Sequence, residues 1–252
     1  MPHQTSYEKM ELACDTAILH PEELYRSACV NYKGTIPKEC DLRRHLYYTE
    51  YIAQFVYAQD ILRGIKENIE PEAEYKIHSH EKEYSEITSH FRQEENIAFN
   101  LFNKQHGEFI DYQYPVFLQS KKNNSQYDES LNGQGKVDLI YKRNGFVYLV
   151  ELKNDTSEET LLRCVLEIST YYNLINKARF SKIYGCSKDA IKKAVMIFEG
   201  TQPYLELVEL KAGKRPHLKQ LVDDITFFVV TSDCRLRSCP KDANYTVRLE
   251  KV

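Results

Sequence analysis

Apolar residues repeat with different spacings in different parts of the chain. Between residues 41 and 65 they recur at helical spacing, whereas short apolar runs alternate with amphipathic stretches from about residue 84 onward. The second pattern predicts a helix, three strands, a helix and a strand, followed by further elements. We therefore predict an α/β protein with a helical N-terminal region at 1–82 and a mixed-sheet domain, flanked by helices, at 83–252.

Residues 135–155, GKVDLIYKRNGFVYLVELKND, predict a β-hairpin with three charged side chains at one end. Asn144-Gly145 favours a type I′ turn, because both central residues of that turn need a positive φ. This turn sets Asp138 directly opposite Glu151, and Lys153 falls on the same face as Glu151 because side chains alternate along a strand. The other face is expected to hold the apolar residues Val137, Leu139, Tyr141, Phe146, Tyr148, Val150 and Leu152.

Two carboxylates directly opposite each other repel unless a positive group lies between them. A divalent cation such as Mg²⁺ or Mn²⁺ would meet this need, since Mg²⁺ is commonly held by one or two carboxylates and keeps several waters. Lys153 could then hold a phosphate oxygen or help to activate an attacking water. Two other interpretations remain open. Asp138 could cap the start of its strand, and Glu151 could form an ion pair with Lys153 or Lys136.

The hairpin resembles the PD-(D/E)XK nuclease superfamily, in particular its RecB-type and Holliday-junction-resolvase-type branches. Asp138 matches the Asp that opens the second strand of the core, and Glu151-Leu152-Lys153 matches the Glu-x-Lys triplet that closes the third. The resemblance covers residues 84–200 and implies a restriction-endonuclease-like αβββαβ core. One departure is Val137, which stands where the superfamily name has Pro.

The resemblance also implies further site residues. The backbone carbonyl of Leu152 would join the metal ligands, and an acid on the first helix, either Glu94 or Glu95, would support them. Glu94 is preferred because apolar residues follow it at helical offsets. The RecB-type branch carries Gln-x-x-x-Tyr on the next helix, where this chain has Glu167 and Tyr171.

The function implied is hydrolysis of phosphodiester bonds, in DNA more than in RNA, with a divalent metal. The alternative is a catalytically inactive module on the same fold that binds nucleic acid or protein. Residues 1–82 are acidic and rich in tyrosine, so we expect them to bind a protein or to close over the active site. A homodimer is also expected. Candidate contacts to nucleic acid are Lys177, Arg179, Lys182, Lys192, Lys193 and Tyr171.

Composition indicates the cellular compartment and does not change the predicted function. The chain has 252 residues, a net charge of −3 and seven cysteines. An odd number of cysteines without a CxxC pair indicates reduced thiols, and no apolar run is long enough to cross a membrane. We therefore expect a cytoplasmic protein.

Overall fold

The computed structural model describes residues 5–37, 46–68, 93–104, 108–116, 135–233 and 244–252. The boundary expected near residue 82 lies outside these ranges, so the division of the chain into two parts remains a prediction. None of the described helices combines the length and the apolar character that a bilayer crossing requires. The four cysteines in the described ranges, Cys14, Cys29, Cys164 and Cys186, are free thiols.

The described part of the N-terminal region, residues 5–37 and 46–68, contains helices, as predicted. Helix α1 spans Ser6–Leu19 and helix α2 spans Tyr48–Ala58, with 3-10 turns at Pro21–Arg26, Ala28–Asn31 and Ile61–Gly64. Helix α1 begins with a capping box: the Thr5 side chain accepts from Glu8 N, and the Glu8 carboxylate accepts from Thr5 N. These reciprocal hydrogen bonds satisfy two backbone donors that a helix start otherwise leaves unpaired.

In the part of the chain that the structure describes, six strands form one mixed sheet, and their order in space is their order in the chain. Strands β1, β2 and β3 form an antiparallel meander, β3, β4 and β5 run parallel, and β6 pairs antiparallel with β5. The protein is therefore α/β with an open sheet. The strands are β1 Phe109–Pro115, β2 Lys136–Arg143, β3 Phe146–Leu152, β4 Ile191–Phe198, β5 Ile225–Ser232 and β6 Tyr245–Glu250.

The hairpin between β2 and β3 has the predicted turn and register. Asn144 and Gly145 both have positive φ, 52° and 80°, as a type I′ turn requires. The strands pair from Arg143 with Phe146 up to Leu139 with Val150. Asp138, Glu151 and Lys153 therefore lie at the end of the ladder that is farthest from the turn.

Helices cover both faces of the sheet. Their bounds are α3 Gln93–Lys104, α4 Leu161–Leu174, α5 Lys177–Tyr184, α6 Gln202–Lys211 and α7 Pro216–Leu221. From α3 to β4 the order is helix, three strands, helix and strand, with α5 as an additional helix before β4. The stretch 157–180 contains α4 and the first half of α5, with a break at residues 175–176. Thr160 caps α4, since its side chain accepts a hydrogen bond from Arg163 N.

Two apolar clusters lie on opposite faces of the sheet. One joins α3 to the side chains of Leu139, Tyr141, Val150 and Leu152. The other joins α4 to Ile140, Val147 and Leu149, and it also contains the buried residues of α1 and α2. Two residues depart from the predicted alternation: Val137 packs in the α4 cluster, and Phe146 is partly exposed beside the turn.

Polar contacts fix the N-terminal region to the sheet domain. Arg215 donates to the Thr49 hydroxyl at 2.7 Å and forms an ion pair with Glu209 at 2.7 Å. The Glu50 carboxylate accepts from the backbone N–H groups of His217 and Leu218 at the start of α7. A carboxylate at a helix start is favourable because the unpaired N–H groups there carry partial positive charge. Residues 46–58 are therefore an integral part of the packed molecule.

Candidate active site

The predicted acids lie together at the end of the hairpin. Continuing the pairing by one step beyond Leu139 and Val150 brings Asp138 opposite Glu151. Both side chains are buried, and they lie on the α4 face because they alternate with the α3-facing residues Leu139 and Val150. Lys153 follows on the same face and is also buried. The hairpin thus gathers Asp138, Glu151 and Lys153 as the sequence predicts.

Asp138 is held through both of its carboxylate oxygens. Its Oδ2 accepts from the backbone N–H of Leu152 at 2.8 Å, and its Oδ1 accepts from Nε2 of Gln113 at 3.2 Å. Burial and the nearby carboxylate of Glu94 raise the pKa of Asp138 to about 8, although Lys153 and the Leu152 N–H oppose this shift. The surrounding protein therefore does not supply enough positive charge to stabilise the ionised form of Asp138.

Gln113 is a site residue that the sequence did not reveal. It lies in β1 two residues after a register shift between Phe109 and Asp111, and its φ is +53°. A left-handed backbone is unfavourable for a residue with a side chain such as that of Gln, and non-glycine residues with this strain cluster at functional sites. Here the unusual backbone belongs to the residue whose amide contacts Asp138. No local sequence feature distinguishes Gln113 from an ordinary strand residue.

Lys153 is surrounded by three glutamates. Its Nζ lies 2.7 Å from Oε1 of Glu151, 2.8 Å from Oε2 of Glu159 and 3.4 Å from Oε2 of Glu167. Burial disfavours the ammonium, yet the carboxylates of Glu151, Glu167 and Glu94 raise the pKa of Lys153 well above its usual value. Lys153 is therefore a fixed positive charge, and its contact with Glu151 is one of the two ion pairs that the sequence left open.

Glu167 belongs to this cluster and holds Lys153 from the α4 side. It accepts from the Tyr171 hydroxyl at 2.9 Å and forms an ion pair with Arg163 at 3.4 Å. Burial alone would raise the pKa of Glu167, but Lys153, Arg163 and the Tyr171 hydroxyl hold it below the usual value. The negative charge at this position, which departs from the Gln of the RecB-type pattern, is thus balanced by two cations.

The preferred acid on α3, Glu94, reaches the segment that follows β3. Its Oε1 lies 3.4 Å from the backbone N of Asn154, the residue after Lys153. Burial is the main cause that raises the pKa of Glu94, and Glu159 and Glu167 add to it while Lys153 opposes it. Glu94 therefore shares the electrostatic environment of Asp138.

The cluster contains more acids than bases. Five carboxyl groups meet two cationic side chains, so its ionised form has an excess of negative charge; the acids are Glu94, Asp138, Glu151, Glu159 and Glu167, and the bases are Lys153 and Arg163. Burial raises the pKa of three of these acids, Glu94, Asp138 and Glu151. These three are the side chains predicted to bind a metal ion.

The donor set fits a hard divalent cation. In the described part of the chain no group of three His, Cys, Asp or Glu side chains is already arranged around a metal position. Mg²⁺ does not need such a group, since one or two carboxylates with several waters suffice. Leu152 offers a further oxygen. Lys153 N donates to Met196 O of β4, so alternation directs both the N–H and the C=O of Leu152 toward the side of Asp138.

Five of the predicted contacts to nucleic acid lie on α5 and β4. Lys192 on β4 pairs with Tyr148 on β3. Tyr148 precedes Glu151 by three residues, so Lys192 lies about 10 Å from Glu151 along the strand direction. Lys193 forms an ion pair with Asp224 at 2.7 Å. On or beside α5, Lys182 is exposed, Arg179 is half-buried, and Lys177 lies near Glu67.

Tyr171 does not fit the expected contact with a nucleic acid. Its side chain is buried, and its hydroxyl donates to Glu167, so neither ring face is available to stack on a base. The prediction for Tyr171 was wrong because its helix turns this position toward the protein interior. Its place beside Glu167 indicates a role inside the site.

No protein-family model, curated protein or solved structure matches this chain. Support for a function of this protein therefore comes from the geometry of the site.

Proposed function

We propose that the protein is a divalent-metal-dependent nuclease that hydrolyses phosphodiester bonds, in DNA in preference to RNA. One observation carries the proposal: Asp138 and Glu151 meet at the end of a hairpin, next to Lys153 and Glu94. The element order from α3 to β4 and the spacing of these residues are those of the PD-(D/E)XK resemblance. We infer that residues 93–198 form a restriction-endonuclease-like core.

Each residue has a proposed role. Asp138 and Glu151 would hold Mg²⁺ or Mn²⁺ with the Leu152 carbonyl, and Glu94 would support them directly or through water. When bound, such an ion polarises the scissile phosphate and lowers the pKa of a bound water. The Lys153 ammonium stabilises negative charge that develops on the phosphate in the transition state. Glu159 and Glu167 hold that ammonium in place.

The contact between Lys153 and Glu151 favours a second candidate. At 2.7 Å this ion pair already neutralises one of the opposed acids, and no group of three His, Cys, Asp or Glu side chains in the described residues surrounds a metal position. A protein that binds nucleic acid without cutting it could keep such an ion pair in place of a metal. This inactive binding module predicts affinity for nucleic acid that does not depend on Mg²⁺.

A cleavage assay separates the two candidates. Linear, circular and branched DNA would be incubated with the protein in Mg²⁺, Mn²⁺ or EDTA, and the same series repeated with RNA. We expect cleavage with either metal and none in EDTA. Asp138→Asn and Glu151→Gln should each lower the cleavage rate by at least about 100-fold, because each removes a charged ligand from the metal.

The matched control is Glu158→Gln. Glu158 is an exposed acid on the loop between β3 and α4, where it pairs with Lys33 at 3.0 Å. This variant should cleave like the wild type. Binding of DNA by wild type and by Glu151→Gln with equal affinity, and no cleavage under any condition, would favour the inactive module.

A further inference from the structure

A chain of polar contacts runs from Lys153 into the N-terminal region. Glu167 contacts Lys153 at 3.4 Å through Oε2 and accepts from the Tyr171 hydroxyl at 2.9 Å through Oε1. The Tyr171 hydroxyl lies 3.5 Å from that of Tyr25, which accepts from Nε of Arg26 at 2.9 Å. Tyr25 belongs to the 3-10 turn at Pro21–Arg26 and precedes Lys153 by 128 positions. Four of the five side chains are buried; only Arg26 is partly exposed.

The direction of these hydrogen bonds follows from the available protons. Arg26 can only donate, so the oxygen of Tyr25 is the acceptor of that contact. Tyr171 uses its single hydroxyl proton on Glu167, because a carboxylate is the stronger acceptor. The single hydroxyl proton of Tyr25 therefore points toward the oxygen of Tyr171. Donors aligned in one direction polarise each other, so Tyr25 strengthens the hydrogen bond from Tyr171 to Glu167.

The ring of Tyr25 is fixed by its neighbours. The guanidinium of Arg26 lies 5.3 Å and that of Arg163 5.2 Å from the ring centroid. The ring also meets Tyr171 edge to face at 5.6 Å between centroids. Arg163 is the residue that pairs with Glu167, so Tyr25 supports Glu167 through two neighbours.

We propose that Tyr25 is a positioning residue of the active site, which holds Lys153 in place through Tyr171 and Glu167. The N-terminal region then supplies part of the catalytic unit. The inference rests on the proposed nuclease function, because it assigns Tyr25 a role in stabilising the transition state through Lys153. Tyr25 itself does not contact the substrate, so its removal changes the chemical step and leaves substrate binding unchanged.

Steady-state kinetics of Tyr25→Phe test this role. The variant keeps the ring and its packing but removes the hydroxyl. We expect kcat to fall about 3- to 10-fold with KM unchanged, the size that corresponds to one weakened hydrogen bond in the transition state. The control is Tyr32→Phe, since Tyr32 lies in the same region and packs on Tyr48. A rise in KM at constant kcat for Tyr25→Phe would overturn the proposal.

Thermal unfolding tests the chain without using activity. Tyr25→Phe should lower the Tm by about 2–4 °C in the wild type, the shift for roughly 1 kcal/mol in a chain of this size. In the Tyr171→Phe background the same change should lower the Tm by clearly less than in the wild type, because the contact between the two hydroxyls is already absent and only the hydrogen bond from Arg26 remains to be lost. Additive shifts would overturn the proposal. If the two Tm shifts are coupled but the protein cuts no nucleic acid, the nuclease function is rejected and the chain of hydrogen bonds from Tyr25 to Glu167 is supported.

Discussion

The backbone N–H of Leu152 donates to the carboxylate of Asp138 at 2.8 Å, just beyond the last backbone pair of β2 and β3. A side chain thus continues the ladder where the strands begin to separate. Asp138 is held against the residues that flank Leu152, namely Glu151 and Lys153. This places the charged groups of the site on a rigid sheet instead of a loop, as precise chemistry requires.

The raised pKa of Asp138 predicts a pH-dependent stability. Its carboxyl has a pKa of about 8 in the native protein and about 3.8 as a free side chain. Between these values the native state binds more protons than the unfolded state, so stability falls as the pH rises. Glu94 and Glu151, whose pKa values burial also raises, add a dependence of the same sign.

We therefore expect the Tm in EDTA to drop by at least about 2–4 °C between pH 5 and pH 8.5. Asp138→Asn should show a shallower decline, whereas Glu158→Gln should keep that of the wild type. Excess Mg²⁺ should raise the Tm more at pH 8 than at pH 5, because protons compete with the cation for the same carboxylates. An Asp138→Asn protein that declines as steeply as the wild type would contradict the assignment.

Gln113 predicts a separation of stability from activity. Gln113→Gly relieves a left-handed backbone, which costs a non-glycine residue about 1 kcal/mol, but it deletes the amide that contacts Asp138. The Tm should stay the same or rise, and the cleavage rate should fall about 3- to 10-fold. Gln113→Ala should lower the cleavage rate as much as Gln113→Gly does, but it should not raise the Tm. Full activity in the glycine variant would show that this contact does not position Asp138.

Gly135 predicts the effect of a steric conflict with Tyr171. The φ of Gly135 is +78°, and a Cβ built there would lie 2.1 Å from the Tyr171 hydroxyl oxygen. Gly135→Ala should therefore cost about 3 kcal/mol or more of unfolding free energy, measured by urea denaturation. Gly145→Ala is the matched control, with φ +80° and no atom within 4 Å of the Cβ. It should cost only about 1 kcal/mol; equal costs would contradict the predicted conflict.

Local signals predicted most of the architecture. The α/β class and the order of elements from α3 to β4 follow from the change of apolar spacing near residue 84. The register of the hairpin follows from Asn144-Gly145, since two left-handed residues in succession permit one tight turn. The pairing of Asp138 with Glu151 then required no tertiary information.

What could not be predicted depends on contacts between distant segments. Ser157 and Thr160 are both suitable helix caps, but Thr160 also donates to Val30 O at 2.5 Å, a contact 130 positions apart. Glu167 stands where the RecB-type pattern has Gln, and its negative charge is balanced by Arg163 and Lys153. Such balances are set by packing and leave no pattern in the sequence.

The consecutive order of the strands has a consequence for synthesis of the chain. Every strand pairs with its neighbours along the sequence, so the sheet grows by local additions as the polypeptide leaves the ribosome. The apolar sides of α1 and α2, in contrast, need a partner far along the chain. They pack in the cluster that contains α4, and α4 begins 93 residues after residue 68, the last described residue of the N-terminal region. At about 5–20 residues per second they stay uncovered for on the order of ten seconds. Slower translation should lengthen this interval and favour aggregation, and a chaperone that binds nascent apolar segments should raise the soluble yield.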